Sequence, residues 1–178
     1  MNTLVIIEKY YKKGSDLYNI LVQHSTDVTN KAVSIAESHP ELNIDIQFVK
    51  EAGMLHDIGI FQTNAPSIKC FGTKPYLCHG YLGHDMLNSL GYPRHALVCE
   101  RHTGTGISLD EIVEQDLPLP HRDMQPVSIE EQLICFADCF FSKTHIGEER
   151  SVEKVKQSLA KFGQGSVRKF EKWCAIFL

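Results

Sequence analysis

With 178 residues, 43% of them hydrophobic and 22% charged, the chain has the length and composition of one globular domain that buries its core without disulfides or a structural metal. Its formal charge of −4 gives no basic field for a nucleic acid polymer, although a local basic pocket for a small phosphorylated molecule stays open. No apolar run approaches the ~20 residues that span a bilayer, so no membrane partner is expected.

The first segment places an apolar run (Leu4, Val5, Ile6, Ile7) before Glu8, Lys9, Lys12 and Lys13. A signal peptide has the opposite order, so the segment reads as a short helix over Leu4 to Tyr11 rather than a leader. Ser15 is placed to cap a helix running to about Ser38, where His39-Pro40 stops it. Its apolar stripe holds Leu17, Ile20, Leu21, Val28, Ala32, Ile35 and Ala36, and His24 falls within that stripe. A further helix starts near Asn43 or Asp45 and carries Ile46, Val49, Ala52, Gly53 and Leu55 up to His56. Gly59 is expected to end it in a left-handed conformation.

Residues 60–77 read as a loop with Pro66, Gly72 and Pro75. A helix from about Cys78 to Leu90 stops at Gly91, and Pro93 suits the first turn of the next, which runs to His102. Residues 103–127 are loop-rich, with one short helix near Ser108 to Gln115. Ser128 and Glu131 have capping-box spacing before a helix presenting Leu133, Ile134, Ala137 and Phe141, with Asp138 beside them. Two closing helices are expected from Ser151 and Ser166. No stretch alternates well enough for a strand, and no repeat or linker interrupts the chain. The expectation is one all-α domain over residues 1–178, with a motif-bearing core at about 16–144 and C-terminal helices in 151–178.

The six cysteines form no CxxC pair. Cys135 and Cys139, one helical turn apart, read as two reduced core thiols. That usage points to the cytoplasm.

The chemistry gathers on the apolar faces. An ionised aspartate is costly to bury unless a cation meets it, and Asp57, at a helix C-terminus, also faces the negative end of the macrodipole. A metal ion resolves both costs, and His56 beside it can bind the same ion. Asp138 and His24 repeat the anomaly on two other helices, where apolar residues are the default. A single buried histidine is more often a hydrogen-bonded core residue than a ligand; only the company of the others favours ligation for His24.

The order His24, His56-Asp57, Asp138 on successive helices resembles the HD superfamily of metal-dependent phosphohydrolases, and His56-Asp57-Ile58-Gly59 resembles its HDIG-type members. His79, in His79-Gly80-Tyr81-Leu82-Gly83, and His102, in Arg101-His102-Thr103-Gly104, match the histidines of the two-metal subgroup. The resemblance implies a single-domain HD-type helical bundle. It implies that one metal takes His24, His56, Asp57 and Asp138, and that a second takes His79 and His102 with Asp57 bridging as the central catalytic residue. If His79 and His102 only cap helix ends, the site is mononuclear. Two divalent transition-metal ions are implied, iron first, with manganese, nickel, cobalt or zinc also suited to the donors. The implied reaction is attack by a metal-bridging hydroxide on a phosphate ester or anhydride of a nucleotide or dinucleoside polyphosphate.

Gly91-Tyr92-Pro93 does not carry the signature of cyclic-di-GMP phosphodiesterases, because it precedes His102 and no adjacent His-His pair exists. Lys69, Lys74, Arg101 and Arg122 are the candidate substrate-binding cations, with Lys143 five residues after Asp138. His39, His84, His95, His121 and His145 read as surface or supporting groups. Two other functions share the ligand pattern: an HD-fold mixed-valence di-iron oxygenase and a non-catalytic nucleotide-binding module. Oligomeric state is not encoded in any feature of the sequence.

Overall fold

A computed structural model describes residues 1–178. Side-chain caps start most of its helices. Asn2 accepts the amide of Val5 ahead of α1 (Thr3–Ile7), and Ser15 accepts that of Tyr18 ahead of α2 (Asp16–Ser38). Asp45 does the same for Phe48 at the head of α3 (Ile46–Leu55). After α4 (His79–Ser89) the chain reverses at Gly91, whose φ of +83° suits a residue without Cβ. Pro93 then opens α5 (Pro93–Arg101). Ser108 and Glu111 form a reciprocal capping box before α6 (Leu109–Glu114), and serines cap α7 (Ile129–Asp138) and α8 (Val152–Leu159). The chain closes with α9 (Gln164–Phe177). The only strands are β1 (Asn64–Ala65) and β2 (Cys70–Phe71), an antiparallel pair too short to alter the all-α class.

Phe141, expected on the helix after Ser128, lies beyond the end of α7 at Asp138. Four further local expectations change. α1 is shorter than Leu4 to Tyr11, because Glu8 to Tyr10 form turns. Glu131 fulfils half of its capping box: its amide donates to Ser128, but its carboxylate accepts from Val127 and Arg101 instead of reaching back to the Ser128 amide. α9 begins at Gln164 rather than Ser166, since Gly163 at φ +103° starts the turn earlier.

The fourth change is Gly59, which has φ −83° and is not left-handed. Its reason is space. A Cβ there would meet the carbonyl oxygen of His79 and the amide of Gly83, so only glycine lets α4 dock on the turn that follows Asp57. Gly80 repeats the device between helices, where a Cβ would lie 2.7 Å from the carbonyl of Cys99. α4 and α5 therefore pack backbone to backbone, which brings His79 and His102 together.

Two large apolar cores fill most of the molecule, with a third, small cluster at Ile112, Leu119 and Met124. One joins Val28, Ala32, Phe48, Leu133, Phe136 and Phe170 across α2, α3, α7 and α9. The other joins Ile7, Leu21, Leu55, Ile60, Leu87 and Cys99 across α1, the front of α2, the end of α3, α4 and α5. Burial of each such side chain is worth about 1.5–3 kcal/mol relative to exposure. On α2 the change from one core to the other falls between Leu21 and Val28, and His24 lies in that gap. On α3 it falls between Ala52 and Leu55, next to His56-Asp57. The polar cluster occupies the seam between the cores.

Candidate metal centre

His24, His56, Asp57, His79 and His102 are all buried, and Asp138 is partly accessible. The ligand atoms form two groups, each within 4.8 Å: His24, His56, Asp57 and Asp138 in one, and Asp57, His79 and His102 in the other. Asp57 divides its carboxylate between them. Oδ2 lies 3.1 Å from Nε2 of both His24 and His56, while Oδ1 lies 3.4 Å from Nε2 of both His79 and His102. Asp138 Oδ1 closes the first group at 3.0 Å from His24 and 3.5 Å from His56.

Three rings are aimed by the same device. The Nδ1–H of His56 donates to the carbonyl of Gly53, that of His79 to Tyr76, and that of His102 to Cys99, each at 2.7 Å. In every case the acceptor is the residue three positions earlier. A carbonyl can only accept, so the tautomer is set and the Nε2 lone pair points inward in the neutral ring. Nε2 of His79 and of His102 consequently stand 3.1 Å apart with no proton assigned to either.

Five of the nine buried side-chain atoms without a hydrogen-bond partner belong to this cluster: both ring nitrogens of His24, Nε2 of His56 and both oxygens of Asp57. They approach one another closely without hydrogen-bond angles, as donors to a shared cation do. The mixed imidazole and carboxylate set fits divalent transition metals better than calcium.

Lys143 is the chain's own cation in this site. Its Nζ lies 2.6 Å from Asp57 Oδ2, with only 11% of the side chain exposed. Burial opposes its charge, but Asp57, Tyr76 and Asp138 hold its pKa above the ordinary lysine value. Burial likewise opposes ionisation of both aspartates. Lys143 and His56 nevertheless hold Asp57 well below the usual carboxylate range, and His24 and His56 do so for Asp138. The two histidine groups differ: burial opposes the charge on His56, yet Asp57 and Asp138 raise its pKa to about 10. Burial pushes His79 down to about 3 despite Asp57.

A family model for the HD domain matches residues 21–141. The chain belongs to the HD domain family. An HD domain carrying this His/Asp cluster fits a metal-dependent hydrolase. The chain is 30% identical over 145 residues to an uncharacterized protein of Methanocaldococcus jannaschii, covering 79% of this chain and 78% of that one. It is also similar to two proteins named tRNA (cytidine(56)-2'-O)-methyltransferase. Identity is 32% over 137 residues for that of Thermoplasma volcanium and 30% over 135 residues for that of Picrophilus torridus. These matches cover 76% and 75% of this HD-domain chain but 35% of each methyltransferase, about a third of their length. No solved structure matches it. No helix is long and apolar enough to cross a membrane.

The candidate substrate cations lie elsewhere. Lys69 and Lys74 are exposed on the loop around β2. Arg101 donates to Glu131 at 2.9 Å, and Arg122 is committed to the buried carboxylate of Glu100. None of the four lines the cleft that opens beside Asp138; Lys143 does. The sequence left Tyr76 and Arg150 unremarked. Tyr76 stacks on His79 at 4.7 Å as well as accepting its Nδ1–H, and its position three residues before a histidine was the one available signal. His95 is not a surface group: it is half-buried between Phe48 and Tyr92, with Nε2 3.3 Å from Glu51. Cys135 and Cys139 are buried thiols whose Sγ atoms both reach the carbonyl of Gly104, bracing the loop after His102.

Proposed function

We propose that this HD domain is a dinuclear metal-dependent phosphohydrolase acting on a small phosphorylated molecule of the nucleotide class. The observation that carries the reading is the division of Asp57, one oxygen toward each histidine group. His24, His56, Asp57 and Asp138 would hold one divalent ion; His79 and His102, with the other oxygen of Asp57, would hold the second. When bound, such ions supply an activated water and neutralise charge at phosphorus.

The chain's own groups do the rest. Asp57 and Asp138 stay ionised and accept-only, so neither competes as an acid. The three carbonyl-anchored rings keep their inward lone pairs without rearrangement. The Lys143 ammonium, at the boundary between the centre and the cleft, can donate to a phosphoryl oxygen as negative charge grows there. Partial exposure of Asp138 gives the substrate its approach, whereas His56 and Asp57 are closed to solvent.

Anaerobic purification with metal analysis, then a phosphate-release screen over nucleotides and dinucleoside polyphosphates, tests the reading. The likeness to part of two tRNA-named enzymes adds ribonucleotide terminal phosphates to that screen. Metal-dependent phosphate release without oxygen supports hydrolysis. Oxygen uptake with a bound iron pair and no phosphate release would replace it with the oxygenase reading.

A further inference from the structure

Beside Asp138 opens a cleft of about 340 Å³, at the small end of the roughly 300–1,000 Å³ typical of ligand sites. The overall charge is negative, yet the cleft's charged lining is Lys143, Arg150 and the single carboxylate of Asp138. Arg150 closes the loop that carries Lys143: its amide donates to Phe140 at 2.8 Å and its Nη2 to the carbonyl of Phe141 at 2.7 Å. Its Nε is buried with no partner. That nitrogen is closed to the cleft, so it is the outer nitrogens of the guanidinium lining the cleft that are suited to a phosphoryl oxygen.

The opposite end of the cleft is apolar and aromatic. Leu159 and Phe162 line it there, and Phe162 is 72% exposed, whereas Tyr76 lies at the centre's end beside His79 and Lys143. Such a rim accepts a flat or apolar group. The volume has room for one small organic phosphate; a second nucleoside would extend beyond the rim.

We infer that this cleft is the substrate site and that it takes a phosphomonoester, its phosphoryl group met by Lys143 and Arg150 and its organic part held against Leu159 and Phe162. The inference rests on the phosphohydrolase reading for the reaction, but not for the binding. It has a consequence for specificity. Lys143, Arg150, Leu159 and Phe162 all follow residue 141, where the match to the HD domain ends. The C-terminal segment of this chain therefore supplies the substrate-contacting cations and the apolar rim, while the HD domain supplies the centre and the rest of the wall.

The test uses the full-length, metal-loaded protein and two variants, with metal content measured for each. Isothermal titration with inorganic phosphate and with a nucleoside 5′-monophosphate reads binding directly. Arg150→Met is expected to weaken both at least tenfold at unchanged metal content, with Arg150→Lys recovering part of the loss. Leu159→Trp, which fills the apolar end, is expected to leave inorganic phosphate within about threefold and weaken the nucleoside monophosphate at least tenfold. Because Arg150 also ties the loop, Leu159→Trp stands as the independent arm. Wild-type affinity for both ligands in both variants overturns the inference, as does the absence of phosphate binding by the wild type. Intact binding with no phosphate release from any ester would instead leave the cleft assigned and remove the hydrolase reading.

Discussion

The Nε2 atoms of His79 and His102 face each other at 3.1 Å, on rings whose Nδ1–H groups are already given to backbone carbonyls. Two lone pairs at that distance repel unless a cation stands between them. His79→Gln is therefore expected to lose one of two metal equivalents while the first group keeps its own. Asp57→Ala, which removes an oxygen from each group, is expected to lose both, along with turnover. Plasma emission analysis after gel filtration reads the stoichiometry; two equivalents retained by Asp57→Ala would remove the shared carboxylate from the scheme.

Metal affinity should depend on pH differently at the two groups. In the metal-free protein His56 keeps its proton up to about pH 10, so binding at its Nε2 must release that proton. Below that pH, affinity of the first group rises with pH, by up to about tenfold per unit for this proton. His79, with its pKa near 3, is already neutral above about pH 4 and adds no such slope. Competition with a metallochromic chelator between pH 6 and 8 should resolve one steep and one shallow site. Two equal slopes would contradict the assignment.

Gly59→Ala is expected to cost about 1–3 kcal/mol, the range for forcing extra volume into packed structure. The larger effect is geometric. The new methyl group pushes α4 away at His79 and Gly83, so the second metal should be lost before the first. Thermal unfolding together with metal content distinguishes this from general destabilisation, which would lower both occupancies alike.

Arg122→Ala should act on stability rather than on substrate. Glu100 is 5% exposed, and its only side-chain partner is Arg122, so the variant leaves a buried carboxylate unpaired. A loss of about 1–3 kcal/mol in urea unfolding is expected, with KM unchanged. Glu100→Gln combined with Arg122→Ala should recover part of it. A raised KM at unchanged stability would return Arg122 to the substrate-binding candidates.

The helices were legible because caps and stops are local: Ser15, Ser108, Ser128 and Ser151 each sit where one side chain meets one amide. His24 and Asp138 could be picked out because polar groups on apolar stripes are anomalous in one dimension. Gly59 was misread for the complementary reason. Its requirement comes from α4, twenty residues or more along the chain at His79 and Gly83, and nothing beside it in sequence announces that contact. The arginine that lines the cleft was likewise hidden. Arg101 neighbours His102 in sequence and Arg122 lies in the long loop after it, but they are engaged by Glu131 and Glu100, whereas Arg150 reaches the cleft only because it closes a loop upon Phe140 and Phe141.

The carbonyls of Gly53, Tyr76 and Cys99, which orient His56, His79 and His102, belong to the main chain. No single substitution deletes a main-chain oxygen, so a change of side chain at Gly53, Tyr76 or Cys99 leaves each of the three rings its acceptor. Heritable variation is then free to act where orientation does depend on side chains, along the wall after residue 141. If the cleft holds the substrate as inferred, substitutions along that wall would exchange one substrate for another while the centre stays unchanged.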